Sequence, residues 1–314
     1  MNEKVIIPVS KDHIRQLKLN LPFIRKNLNP SAICIIGCED VIETLRDFDD
    51  VEVLNENELF DDLNYEAVAE IIRSRCGDTR RTGWYFQQFL KMQYATICNE
   101  DYYIVWDADT IPLRKIDFID NEGKYLYNLK EEHHIPYFKT LDNLFGEGFL
   151  SYAGKSFISE GMVFDTQIMR ELLDLIISVG KKGVSWFKTV IDSIPVKDIR
   201  GSGFSEFETY GSYVMKRHPD RYRYRKLLTM REGYDEFGRI PEGDELDEYI
   251  AHYDTISFEN RYSRNVYLPD IPSIVNLKND VLTAKNLYFS SEEIELFIRH
   301  EGELLNKGKK AKRI

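Results

Sequence analysis

The chain's 314 residues, 43% hydrophobic and 13% aromatic, suffice for a globular enzyme-sized core and argue against a largely disordered protein. Its 53 acidic side chains outnumber 42 basic ones, and the formal net charge of -11 argues against a duplex nucleic acid as partner. Four cysteines, Cys34, Cys38, Cys76 and Cys98, make neither a CxxC pair nor a disulfide framework, so a reducing, cytoplasmic setting is expected.

Val5–Val9 is a β-branched run that predicts a first strand, and it is too short for a signal peptide. A helical stretch, His13 to Leu28, leads to a second strand, Ala32–Ile36, ended by Gly37; Val51–Leu54 is a third. Strands alternating with helices predict an α/β fold, a mostly parallel sheet flanked by helices. Trp84 to Cys98 has neither proline nor glycine and sets Phe86, Phe89, Leu90, Met92, Tyr94 and Ile97 on an apolar helical face. Asn99-Glu100-Asp101 breaks it. Tyr102–Trp106 is the strongest buried-strand signal in the chain, and it runs directly into Asp107-Ala108-Asp109, with Pro112 closing any ladder that continues.

Residues 116–152 read as aromatic and loop-rich, Phe157–Phe164 as a strand or strand-like turn, and Thr166–Val179 as an amphipathic helix stopped at Gly180. Ser205 can cap a further helix, with Glu208 at its third position to complete a capping box. An amphipathic stretch from Ser290 to Leu305 precedes a basic tail, Lys307–Arg313, read as disordered and suited to weak contact with the inner face of a membrane. No stretch approaches the roughly 20 apolar residues of a membrane span. The expected organisation is a catalytic domain over 1–265, with a nucleotide-binding part at about 1–115 and an acceptor-binding part at about 116–265. A helical extension over 266–306 and the tail at 307–314 follow.

A buried strand ending in two aspartates one residue apart presents hard oxygen ligands at the carboxyl edge of the sheet, where open α/β sheets bind ligands. Asp107 and Asp109 are therefore candidates to hold a divalent cation, Mn2+ or Mg2+, against a diphosphate. The bland alternative is a solvated acidic turn. On the preceding helix, Gln88 and Lys91 follow Trp84 by four and seven residues, so all three share one face that can position an anionic ligand. Their bland reading is a core tryptophan with two solvated neighbours.

Tyr103-Ile-Val-Trp-Asp-Ala-Asp-Thr-Ile-Pro-Leu113 resembles the metal-binding strand of GT-A glycosyltransferases. Gly83-Trp-Tyr-Phe-Gln-Gln-Phe-Leu-Lys-Met92 is similar to the helix before that strand in glycosyltransferase-like proteins of bacterial surface-polysaccharide clusters. The resemblance implies a GT-A fold, a nucleotide-sugar donor, UDP being the nucleotide implied, a divalent metal, and a glycan or lipid-linked acceptor. It also implies that Pro8 and Ser10, after the first strand, lie where the nucleotide sits, although Ser10 or Asp12 serves equally as a helix cap. Ser205-Glu206 resembles the acidic motif that supplies the base in inverting enzymes of this type, with Glu208 as its rival and helix-start electrostatics as the bland reading of both. A third metal ligand in such enzymes is often a distant histidine, for which His252 is the candidate, with His133 and His134 behind it. Ser159-Glu160-Gly161-Met162 is either part of the acceptor side or a tight turn.

Two other classes compete. Asp107-Ala-Asp109-Thr110 also matches the nucleophile motif of haloacid-dehalogenase-like phosphatases, in which Asp107 would attack phosphorus, although that strand normally opens the domain. A non-catalytic nucleotide- or sugar-binding module would keep the fold without turnover.

Overall fold

The computed structural model describes residues 4–130, 134–146, 156–237, 241 and 243–258. All of them belong to one unit, residues 1–260. The expected helix from Ser290 to Leu305, the basic tail and His133 lie outside the described residues.

Three β-branched runs form adjacent parallel strands: β1 (Lys4–Pro8), β2 (Ala32–Gly37) and β3 (Glu52–Asn55). Helices α1 (Ile14–Leu28) and α2 (Glu39–Leu45) make the crossovers. The route to the fourth strand runs through α3 (Tyr65–Cys76) and α4 (Thr82–Gln93). The single helix expected from Trp84 to Cys98 ends early, at Gln93, and one 3-10 turn over Tyr94–Thr96 completes the segment.

Strand β4 (Tyr102–Trp106) pairs in parallel with β1, and its Tyr103, Ile104 and Val105 are wholly buried. On its other side lies β7 (Gly161–Asp165), antiparallel to it, so the sheet order is β3-β2-β1-β4-β7. The fold is thus mixed α/β, with a parallel-rich central sheet between helices. Helix α6 (Thr166–Val179) follows β7 directly, because Asp165 at the strand end accepts from the backbone N–H groups of Gln167 and Ile168, both at 3.0 Å.

Beyond β4 the chain leaves the main sheet. Strand β5 (Thr110–Pro112) pairs antiparallel with β10 (Thr255–Ser257), which in turn lies parallel to β9 (Thr229–Met230). A small cluster of Ile111, Leu113, Met230, Leu246, Ile256 and Phe258 packs there. Pro112 is tolerated because β5 is an edge strand and ends at that residue.

The stretch 116–152 holds more order than its composition announces. It contains β6 (Tyr125–Asn128), paired in parallel with β8 (Tyr222–Arg225), and α5 (Ile135–Phe145), which starts with Pro136 in its first turn. A four-residue strand whose partner lies almost a hundred residues away has little local signal, since pairing and burial create its preference. Helices α7 (Trp186–Ser193), α8 (Val196–Ile199) and α9 (Glu206–Arg217) close the unit against α3, α4 and α6. Among the described residues no helix is long and apolar enough to cross a membrane.

One glycine shows how tightly β7 is fitted to β4. Gly161 faces Trp106, and a Cβ placed there would lie 2.4 Å from the indole Cε3. Gly161→Ala is expected to destabilise the protein by about 1–3 kcal/mol through overpacking, read as a lowered urea midpoint. An unchanged midpoint would show that the indole can shift freely.

Candidate active site

Asp107 is the first residue past β4. Its N–H donates to the carbonyl of Glu160 at 2.9 Å, and its own carbonyl accepts from Thr110 N at 3.2 Å, which folds the acidic segment into a turn at the carboxyl edge of the sheet. The indole N–H of Trp106 donates to the Thr110 carbonyl at 2.9 Å, and Phe258 N–H donates to the Asp109 carbonyl at 2.8 Å. The loop is therefore pinned to both sheets. Pro8 ends the neighbouring strand at the same edge, and Ser10 beyond it is exposed, with its hydroxyl 2.9 Å from His13 Nδ1.

The centre of the site is a buried cation. Lys91 on α4 is 2% exposed, and its Nζ lies 2.7 Å from both Asp107 Oδ1 and Glu206 Oε1. The ammonium also stands 4.8 Å from the centre of the Phe207 ring. Burial works against its charge, but the two carboxylates outweigh burial and hold its pKa above the ordinary lysine value. Asp107 keeps 32% of its side chain open, and among the described residues its second oxygen accepts no hydrogen bond. Burial nevertheless raises its carboxyl to about 6, opposed by Lys91 and reinforced by the charges of Glu206 and Glu160.

Gln88, one turn before Lys91, shares the same work. Its Oε1 accepts from the Glu206 N–H at 3.1 Å and its Nε2 donates to the Trp84 carbonyl at 3.0 Å. The common face of Gln88 and Lys91 thus meets β4 and the start of α9. Trp84 is half-buried, with the Arg81 guanidinium 4.4 Å over its ring.

Ser205 caps α9 through its hydroxyl, which accepts from Glu208 N at 3.2 Å. The second half of the expected capping box is absent. The Glu208 carboxylate turns away to accept from Ser156 Oγ at 2.6 Å and Phe157 N at 2.9 Å, which makes it a buried tie for the neighbouring chain. Glu206 instead points into the site, 4% exposed, with one oxygen on Lys91 and the other accepting no hydrogen bond among the described residues.

A second charged group adjoins Asp107. The buried Glu160 carboxylate is held by Lys130 Nζ, by Thr229 Oγ1 at 3.0 Å and by Arg231 Nε at 4.0 Å. Burial raises its pKa, but the two cations prevail and lower it. Lys130, Thr229 and Arg231 escaped sequence reading, because nothing local marks a residue that a distant strand carries to the site. His252 is exposed in the turn before β10, with its N–H donating to the Tyr249 carbonyl at 3.0 Å. Among the described residues no three His, Cys, Asp or Glu side chains gather to hold a metal ion.

An open cavity of about 560 Å3 lies at the opposite end of β4, lined by Glu100, Tyr102, Tyr125, Asp165, Arg170 and Arg221 among others. Its buried carboxylate, Asp165, is already engaged by the α6 cap, by Tyr125 Oη at 2.9 Å and by Arg221 at 2.8 Å. The open carboxylate oxygen of Asp107 contrasts with the fully engaged carboxylate of this hollow.

Residues 36–227, well over half of the chain, match the model of a family of unknown function, DUF6492, and the chain belongs to that family. No curated protein matches it. Among solved structures, mouse xyloside xylosyltransferase 1 in its apo form is similar over 86% of this chain and 100% of its own, at 13% identity and a TM-score of 0.48. The apo glycosyltransferase GlyE of Streptococcus pneumoniae TIGR4 is similar over 96% of this chain and 64% of its own, at 12% identity and a TM-score of 0.37. The mannosyltransferase Ktr4p of S. cerevisiae is similar over 62% and 64%, at 11% and 0.40. With TM-scores of 0.48 and below, these likenesses leave the chemistry of the chain to its own site.

Two outcomes test the geometry. Lys91→Met would strand two carboxylates without their cation and is expected to cost about 3–5 kcal/mol in urea unfolding, part of it recovered by adding Glu206→Gln. The second outcome concerns pH. Because the folded Asp107 carboxyl titrates at about 6, above the ordinary 3.8, its favourable contribution is complete at low pH and is lost as the pH rises through 6. Asp107→Asn, which stays neutral, should gain thermal stability relative to wild type as the pH is raised through that value; parallel pH profiles would contradict it.

Proposed function

We propose that the chain transfers a glycosyl group from a nucleoside diphosphate sugar to a hydroxyl acceptor, using a divalent cation at Asp107 and Asp109. The observation that carries this reading is the Lys91 bridge, which joins a carboxylate at the strand tip to Glu206 at a helix start. An acidic ligand and a candidate base, distant in sequence, are thereby held in one site.

The donor set suits Mn2+ or Mg2+. Such hard cations bind through one or two carboxylates and take the remaining ligands from phosphates and water. Asp107, with one oxygen clear of Lys91, and Asp109 on the same turn would be those two carboxylates, with His252 as a further candidate ligand. When bound, the cation would neutralise charge on the departing diphosphate.

In an inverting transfer, the acceptor oxygen forms its bond to the anomeric carbon as the bond from that carbon to the diphosphate oxygen breaks. The diphosphate leaves with the electron pair, and the hydroxyl proton passes to Glu206 through the carboxylate oxygen not engaged by Lys91. Lys91 holds the other oxygen of that carboxylate, and Gln88 holds the Glu206 backbone N–H. Pro8 and Ser10 lie on the side assigned to the nucleotide. A UDP donor and a glycan or lipid-linked acceptor of surface polysaccharide are the finer reading, supported by the likeness of the Gly83–Met92 and Tyr103–Leu113 segments to such enzymes.

A thermal-shift screen of nucleoside diphosphates and their sugars, with and without Mn2+, tests donor and cation together. Stabilisation by one nucleotide only with Mn2+, lost in Asp109→Ala, is the expected result. Glu206→Gln should retain that binding while acceptor-dependent release of nucleoside diphosphate falls about 100-fold or more. Phosphate release from a simple phosphomonoester, lost in Asp107→Asn, would instead establish the phosphatase chemistry.

A further inference from the structure

We infer that Gln16, Asn20 and Asn27 on α1 are positioning residues whose amides hold the acidic loop in the shape that serves the cation. The inference rests on the proposed function. It begins from an anomaly in a helix that packs on the sheet: beside the buried apolar stripe of Leu17, Leu21, Ile24 and Leu28 runs a line of amides, Gln16, Asn20 and Asn27, exposed by only 3%, 0% and 7%.

All three donate to the same short segment. Gln16 Nε2 lies 3.1 Å from the Asp109 carbonyl, Asn20 Nδ2 lies 2.7 Å from the Ala108 carbonyl, and Asn27 Nδ2 lies 2.6 Å from the Pro112 carbonyl. Consecutive carbonyls of the acidic turn are therefore clamped from α1, and the Asp109 carbonyl is also held by Phe258 N–H at 2.8 Å. With the backbone fixed from both sides, the Asp107 and Asp109 side chains depart from a rigid base.

The clamp is not arranged for stability alone. Among the described residues Gln16 Oε1 and Asn20 Oδ1 are buried with no hydrogen-bond partner, and a buried acceptor without a partner disfavours the folded state. Rotating either amide would put oxygen against carbonyl oxygen, so the donor orientation is required and the other half is left stranded. Positions that carry such a penalty while serving one loop point to a need outside the core.

Asn20→Leu separates the roles. It removes one stranded oxygen and leaves another, the Ala108 carbonyl, so the thermal midpoint should move little. Hydrogen exchange of the Asp107–Leu113 segment should become at least about tenfold faster, with β1 unchanged. Calorimetric affinity for Mn2+ in the presence of UDP should fall about 10- to 100-fold. Leu17→Ala, a plain core truncation on the same helix, should lower the midpoint without that loss of affinity. Unchanged exchange in Asn20→Leu would overturn the inference, as would faster exchange with full affinity, or an equal loss of affinity in Leu17→Ala. If wild-type protein shows no Asp109-dependent Mn2+ binding with UDP or with any other nucleoside diphosphate, the proposed function itself fails, and the role assigned to the amides falls with it.

Discussion

A lysine ammonium enclosed with two carboxylates is costly to assemble in a protein interior, and removing one partner is costlier than never having built the group. Lys91 sets that constraint here. It is carried by α4, Asp107 by the end of β4, and Glu206 by the first turn of α9, so its two 2.7 Å contacts fix the mutual position of three elements. The core around it is aromatic: Phe89 meets Phe204, Trp186 and Phe187 nearby, and Tyr103 Oη donates to the Lys91 carbonyl at 2.7 Å. Displacement of α4 would break the charge bridge and this packing together.

Around that bridge the charges alternate. Glu160, adjacent to Asp107 through a backbone hydrogen bond, is compensated by Lys130 and Arg231 as Asp107 and Glu206 are by Lys91. Three carboxylates can then stand close together in a partly dry setting. Asp107 keeps one oxygen clear of Lys91 and about a third of its side chain exposed, whereas Glu206 and Lys91 are buried.

The loop itself depends on two sheets and a helix. β4 delivers it, β10 grips it from the smaller sheet, and α1 holds it by side-chain amides. Residues far apart in the chain are thus needed to shape a three-residue motif. The motif's meaning lies in that surrounding support as much as in its two aspartates.

The strands β1, β2 and β4, the helix α6 and the Ser205 cap were legible from sequence, because each follows from local periodicity or capping chemistry that survives folding unchanged. The common face of Gln88 and Lys91 was legible for the same reason, as helical spacing alone determines it. Strand β6, the pairing of Glu160 with Lys130 and Arg231, and the partners of Lys91 were not, since each depends on contacts between distant segments. The α1 amides left one readable trace, polar residues at spacings that continue a buried stripe, but their target is set by the crossover that lays α1 beside the loop. By itself the sequence determined the elements that rest on local periodicity or capping, and which residues carry charge. Tertiary structure alone decided which charges neutralise one another and which carboxylate oxygen stays open, because these follow from distances that no local pattern encodes.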